Sequence, residues 1–287
     1  MTLISILIGL GLEYYLGSLD HIRDFSWFDR YSGWLERHGS RFAWWNGAVG
    51  VVLTLLWPVL ALLVVAWLLG RISLILVFLL GIAVFVYCLG PDINTLLHRY
   101  LQAVAGRDQE QEADRHALEK ALGVEEGEDT ETAVASILFR SHENIFAILF
   151  WFSLLGMAGA LLYRLAVRLR SRYADIHGGY AEASRNLHQI MMWPSARLQA
   201  LSFGLGGSLM HALESWRGTC GHTLDCSPEV VSRSGLGALQ YGEAPAGDTA
   251  IGPDRPAWIE ETRALINRAL FIWLTGLGIL TIGGFLH

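Results

Sequence analysis

Apolar residues in this chain gather into long unbroken runs. Gly47 to Leu69 carries no charge and reaches the roughly 20 residues a helix needs to cross a bilayer, with Pro58 expected to kink it. After only Gly70-Arg71-Ile72, Ser73 to Gly90 makes a second uncharged run, and Gly90-Pro91 ends it. The two are predicted to form a tight helical hairpin. A third run, Ile145 to Tyr163, is uncharged but interrupted by Gly156 and Gly159. The fourth, Ala269 to Leu286, leaves only His287 beyond it. A weaker fifth stretch, Leu198 to Leu213, contains Gly204, Gly206, Gly207 and His211 and reads as half-buried. The opening segment, Thr2 to Leu12, is apolar but too short to span upright.

Between these runs the pattern changes. Tyr14, Tyr15, Trp27, Trp34, Trp44 and Trp45 form an aromatic-rich stretch suited to the membrane–water interface. Ile93, Leu96, Leu97, Tyr100, Leu101 and Val104 recur with helical period. That face then thins to Ala113, Ala117 and Ala121, as expected of a helix leaving the membrane surface. The acidic segment from Glu125 to Glu131 reads as a solvated turn. The predicted fold is all-α: a polytopic helical membrane protein with cytoplasmic helices and segments able to re-enter the bilayer. Residues 1–46 form an interfacial segment, 47–90 a transmembrane hairpin and 91–144 amphipathic cytoplasmic helices. Residues 145–267 form an embedded core with a polar site and a long loop, and 268–287 a C-terminal span.

Composition agrees with a membrane chain. Hydrophobic residues make up 53% and there are 11 tryptophans, too apolar for an ordinary soluble domain. A net charge of -6 argues against a nucleic-acid partner. The three cysteines, Cys88, Cys220 and Cys226, make no disulfide framework. Met1 to Leu12 has neither a basic flank nor a small-residue cleavage site, so it is expected to stay uncleaved. If only Gly47–Leu69, Ser73–Gly90 and Ala269–Leu286 cross fully, 20 of the 21 Lys and Arg residues share one side, opposite Arg71. The positive-inside rule favours that arrangement. It requires Ile145–Tyr163 and Leu198–Leu213 to dip and return, or to lie buried in protein. Ser141 and Ser227 then face the cytoplasm, His287 faces the opposite side, and the expected location is the bacterial inner membrane.

Several polar clusters border the apolar runs. Arg140-Ser141-His142-Glu143-Asn144 sits at the mouth of the third run, where a histidine, a carboxylate and an amide are costly to desolvate. The cluster either binds something or pins the fold, with capping of a helix N-terminus as the plainer role for Glu143 or Asn144. Arg164, Arg168, Arg170 and Arg172 follow the run, suited to anionic headgroups or to a ligand's phosphate or carboxylate. Next come Asp175, His177, Gly178-Gly179, Tyr180, Ser184, Arg185 and His188. Arg185 and His188, three apart, share a helical face. Asp175 with His177 is too little for a metal, and no metal site is predicted. Arg197, entering an apolar helix, needs a carboxylate or the interface; Glu143 and Asn144 are expected within reach of Arg185 or Arg197. Cys220-Gly221-His222 with Cys226 suggests zinc or a disulfide, but it falls one ligand short of a closed zinc site and a disulfide would be reduced on the cytoplasmic side, so the thiols read as unpaired.

These clusters, in this order, resemble the AmpE family, bacterial membrane regulators associated with β-lactamase induction. That family is distantly similar to the CobD/CbiB cobinamide-phosphate synthases. The landmarks are Glu143-Asn144, the series Gly156, Gly159, Ala160, Tyr163, then Gly179-Tyr180, Ala183-Ser184-Arg185 and Pro194-Ser195-Ala196-Arg197. Ser227-Pro228, Gly235-Leu236-Gly237-Ala238-Leu239, Tyr241-Gly242 and Ile251-Gly252-Pro253-Asp254-Arg255-Pro256 complete them. The resemblance adds Tyr163 and Ser227 to the ligand-binding candidates; no catalytic residue is assigned. The synthases resemble an Asp-Ser pair where this chain has Arg170-Ser171, paired aspartates at His188-Gln189, and Ser-Pro-Asn at Ser227-Pro228-Glu229. If those acids hold Mg²⁺, too few hard oxygens remain, and cobinamide-phosphate synthesis is not expected. No cofactor is implied beyond Mg²⁺ for a nucleotide-dependent reaction.

The resemblance implies a regulatory or sensor protein of β-lactamase induction and cell-wall recycling. It would bind a small cell-wall-derived or phosphorylated ligand in a degenerate synthase-like site, with the lipid bilayer and a soluble cell-wall amidase as partners. The alternatives are an ATP- and Mg²⁺-dependent amide-bond ligase acting on a cell-wall fragment, and a structural membrane partner with a relic pocket.

Overall fold

A computed structural model describes residues 2–16, 23–39, 45–105, 109–124, 128–217, 226–241 and 255–283. Among them the chain forms α-helices and one π turn, with no strand. The fold is all-α and polytopic. Stretches long and apolar enough to cross a membrane lie at Ala48–Ile72, Leu74–Ala103, Thr130–Arg172 and Arg255–Ile282. The chain divides into two compact units: Met1–Gly90, Ala147–Met192 and Leu280–His287 form the first, Pro91–Phe146 and Trp193–Ile279 the second.

The first unit contains α1 (Thr2–Leu16), α2 (Ser26–Gly39), α3 (Ala48–Ile72), α4 (Leu74–Cys88), α8 (Ala147–Arg172) and the start of α9 (Gly179–Gly206). Helix α4 packs against α1, α3 and α8, with Phe85 and Phe152 rings 4.8 Å apart. Ser73 joins α3 to α4 as an N-cap, its hydroxyl accepting from Ile75 N at 3.2 Å. Trp57, Val64, Trp67, Leu68 and Leu79 stay exposed on this hairpin, which in so apolar a pair is the face for lipid. Arg23 secures the end of α4: it donates to Val86 O at 3.2 Å and to Gly90 O while pairing with Glu13 at 2.6 Å. A guanidinium there satisfies carbonyls that the helix end leaves open.

Helix α2 is tied to the end of α8. Arg168 pairs with Asp29 at 3.0 Å, Arg172 donates to Asp29 O, and the Tyr173 hydroxyl donates to Glu36 at 2.7 Å. Arg164 and Arg168 lie over the Phe25 ring at 5.7 and 5.8 Å. Two of the arginines expected at headgroups or ligand phosphates thus spend their charge on α2.

The third apolar run does not continue as a straight span. Gly156 sits at φ 63, ψ -151 inside α8, a conformation that is essentially glycine-only. A Cβ on Gly159 would lie 2.3 Å from Trp151 O. In an unbroken helix, residues that far apart are separated by about 12 Å along the axis, so α8 bends sharply. Leu154 and Leu155, just before the bend, are exposed.

The second unit contains α5 (Ile93–Ala105), α6 (Gln109–Leu122), α7 (Thr130–Ser141), the π turn (His142–Phe146), the remainder of α9, α10 (Leu209–Arg217), α11 (Ser227–Ala238) and most of α12 (Arg255–Ile282). Helix α5 packs on α6 and α11 packs on α7 and α10, with Ser232 Oγ donating to Ala135 O at 3.1 Å. Asp129 caps α7 by accepting from Thr132 N and Oγ1, bonds that hold its carboxyl below the usual range.

Three expectations are corrected. Leu198–Leu213 is not one segment: α9 ends at Gly206 and α10 starts at Leu209, and α9 is too polar to count among the described spans. The last helix begins at Arg255, well before Ala269, because Arg255 to Arg268 carries its charges on helical turns that continue into the apolar run. Cys226 is disulfide-bonded, whereas the unpaired reading rested on an assumed reducing compartment; Cys88 is a buried free thiol. Cys220, Gly221, His222, Trp44, His287 and Glu125-Glu126-Gly127 lie outside the described residues.

Candidate functional site

The sequence candidates divide between the two units. In the second, the chain passes from α7 into the π turn at His142, and Ser141, His142, Glu143 and Asn144 are all buried. A π turn widens the helix by bonding i to i+5; such turns are rare and concentrate at functional sites. The whole stretch from Ser141 to Leu149 is buried, so these polar residues lie inside the protein whichever way each one points. Glu143 has Arg140, three residues earlier, as an ion partner at 3.9 Å. His142 Nε2 meets Ser195 Oγ of α9 at 3.2 Å, and both residues are 0% exposed.

Arg197 and Ser227 meet in the same unit, Arg197 donating to the Ser227 hydroxyl at 2.7 Å. The guanidinium lies over the Trp193 ring at 4.7 Å, and burial draws its pKa down. It also donates to Trp193 O at 3.3 Å, and a guanidinium, with five N–H donors in a planar fork, is suited to an anion such as phosphate.

In the first unit the remaining candidates take more structural parts. Tyr180 donates to Thr54 Oγ1 at 2.9 Å and its backbone N–H to Asn46 Oδ1 at 3.1 Å; burial pushes its phenol to about 12, so it remains a neutral lock between α9 and α3. Ser184 donates to Ala181 O in its own helix. Arg185 donates to Tyr173 O and Ile176 O, covering carbonyls at the end of α8. Asp175 and His177 are exposed in the connecting turn. His188 is buried, 3.4 Å from Arg170 and with its ring 5.9 Å from the Tyr163 ring.

Among the described residues, no three of His, Cys, Asp and Glu gather as a metal cluster. Mg²⁺ often takes only one or two protein oxygens, leaving the rest to water and substrate phosphates. Glu143 and Asn144, adjacent and buried, are the residues that would hold it.

Sequence reading missed Ser195 as a contact residue and Gln199 altogether. The signal was present in the spacing His188, Ser195, Gln199, Ser202, which sets polar residues along one face of a helix that is buried in the structure.

A family model described as "CobD/Cbib protein" matches residues 6–229. The chain belongs to the CobD/CbiB family. A protein of Chromobacterium violaceum named "Cobalamin biosynthesis protein CobD" is 33% identical over 164 residues, covering 49% of this chain and 49% of that one. A protein of the same name from Stutzerimonas stutzeri is 31% identical over 112 residues, covering 37% and 36%. The chain thus spans about half the length, or less, of these relatives. No solved structure matches it.

These relatives overturn the regulatory expectation. Both are named for cobalamin biosynthesis, so the sensor of β-lactamase induction, the cell-wall ligase and the relic pocket are set aside. The expectation gave most weight to Arg170, His188-Gln189 and Glu229 as lost metal ligands. Their metal-binding role came from the resemblance alone, while the family match reaches from residue 6 to residue 229.

Proposed function

We propose that this chain acts in cobalamin biosynthesis, at the step served by the cobinamide-phosphate synthase family, as a membrane-embedded member of that family. The buried cluster of the second unit is then its ligand site. The observation that supports this most is the family match over residues 6–229, which takes in the π turn, Ser195, Arg197 and Ser227. Within the family we place the chain in an AmpE-like branch, on the landmarks it shares with that group and on Arg170, His188-Gln189 and Glu229. Arg197 is the group for a ligand phosphate, and Glu143 with Asn144 for a bridging cation.

Complementation tests the proposal. A bacterium lacking its CobD, grown where cobalamin must be made de novo, is expected to grow when it carries this chain. It should fail with Glu143→Ala/Asn144→Ala or Arg197→Ala. Absence of growth with the wild-type chain present in the membrane, as seen by immunoblot, would refute it.

A further inference from the structure

We propose that the second unit holds a binding site for a carboxamide group, recognised by Gln199. Gln199 is 0% exposed, and neither its Nε2 nor its Oε1 has a hydrogen-bond partner. Its neighbours on α9 locate it. Ser195, one turn earlier, meets His142 at 3.2 Å; Phe203, one turn later, sets its ring edge-on to Phe146 at 6.4 Å. Those two contacts engage the first and last residues of the π turn, so Gln199 lies between them on the face of α9 turned to that wall. Phe146 also meets the Trp273 ring at 6.0 Å, giving the place an apolar side.

An amide buried with both its donor and its acceptor unmet carries the full desolvation cost of each. Leucine or methionine would fill similar volume without that cost. The group that offsets it must accept from Nε2 and donate to Oε1 at once. A carboxamide does so in one plane, N–H to C=O and C=O to N–H. A carboxylate or phosphate only accepts, leaving Oε1 against negative charge; an ammonium only donates. Both amide atoms are sealed, so a ligand reaches them by parting α9 from the π turn.

The carboxamide site stands whether or not the chain acts in cobalamin biosynthesis, and its test uses no corrinoid. Purified full-length protein in detergent is titrated with butyramide, butyrate and methyl propionate, and binding is followed by saturation-transfer NMR. Saturable binding of butyramide is expected, about tenfold tighter than either comparator, and lost in Gln199→Leu. The same variant should melt no lower than wild type, because it removes two unmet polar atoms. Equal binding of the three probes, or unchanged butyramide binding by Gln199→Leu, overturns the proposal. So does a lower melting temperature or failure to fold in Gln199→Leu, which would show the amide satisfied inside the protein.

Discussion

Arg23 and Glu13 show what a buried charge does when it has a purpose in the fold. Their side chains are 4% and 11% exposed and meet at 2.6 Å, while the guanidinium also serves Val86 O and Gly90 O. Removing one partner of such a pair leaves an uncompensated charge and costs about 3–5 kcal/mol. Arg23→Ala is therefore expected to lower stability by about 3 kcal/mol or more, measured by thermal melting in detergent. Glu13→Gln should cost less, since the guanidinium keeps its two carbonyls. The double variant should fall short of the sum of the two losses; strict additivity would mean the residues do not act as a pair. Sequence reading gave neither Glu13 nor Arg23 a role. Their pairing depends on α1 and α4 lying side by side, which no local pattern specifies.

At the scale of the element, α8 and the π turn depart most from simple helix rules. In a straight helix, alanine at either glycine would stabilise by up to about 1 kcal/mol. The bend reverses the sign. Gly156→Ala is expected to cost about 1–3 kcal/mol through its positive φ. Gly159→Ala should destabilise by driving its Cβ into Trp151 O, which lies 2.3 Å from that position. A raised melting temperature for either variant would show that Ile145 to Tyr163 runs straight. The glycines were visible in the sequence, and re-entry was an allowed outcome. The direction of the bend was not visible, because glycine permits a positive φ without requiring it. The π turn left even less trace: nothing in His142-Glu143-Asn144-Ile145-Phe146 distinguishes i→i+5 bonding from an α-helix, and the choice lies in how that segment packs.

For the molecule as a whole, charge distribution sets the orientation in the membrane. The last turn of α3 carries Arg71 as the hairpin's one charge, and Ser171, near the end of α8 in the same unit, is flanked by Arg170 and Arg172. The positive-inside rule places these on opposite faces. In a background lacking the native cysteines, an impermeant thiol reagent applied to intact cells should label Arg71→Cys and spare Ser171→Cys. Labelling of Ser171→Cys, or of both, would invert or discard the arrangement. The inner membrane is the location this experiment presumes, and fractionation checks it directly.

Much of the architecture was determined by sequence alone. Uncharged runs of spanning length can lower their free energy only as helices in lipid, because the backbone must satisfy itself there; so the all-α class and the α3–α4 hairpin followed from composition and spacing. Glu143, Asn144 and His142 were legible as a site because polar groups beside an apolar run are costly wherever they end up. What a polar residue meets is another matter. Arg168 turned to Asp29 and His142 met Ser195. Both outcomes depend on which helices pack together and on side chains meeting across long stretches of chain. Only the tertiary structure decided those, since hydrogen bonds and ion pairs act over a few ångströms and the sequence does not state which distant residues come that close.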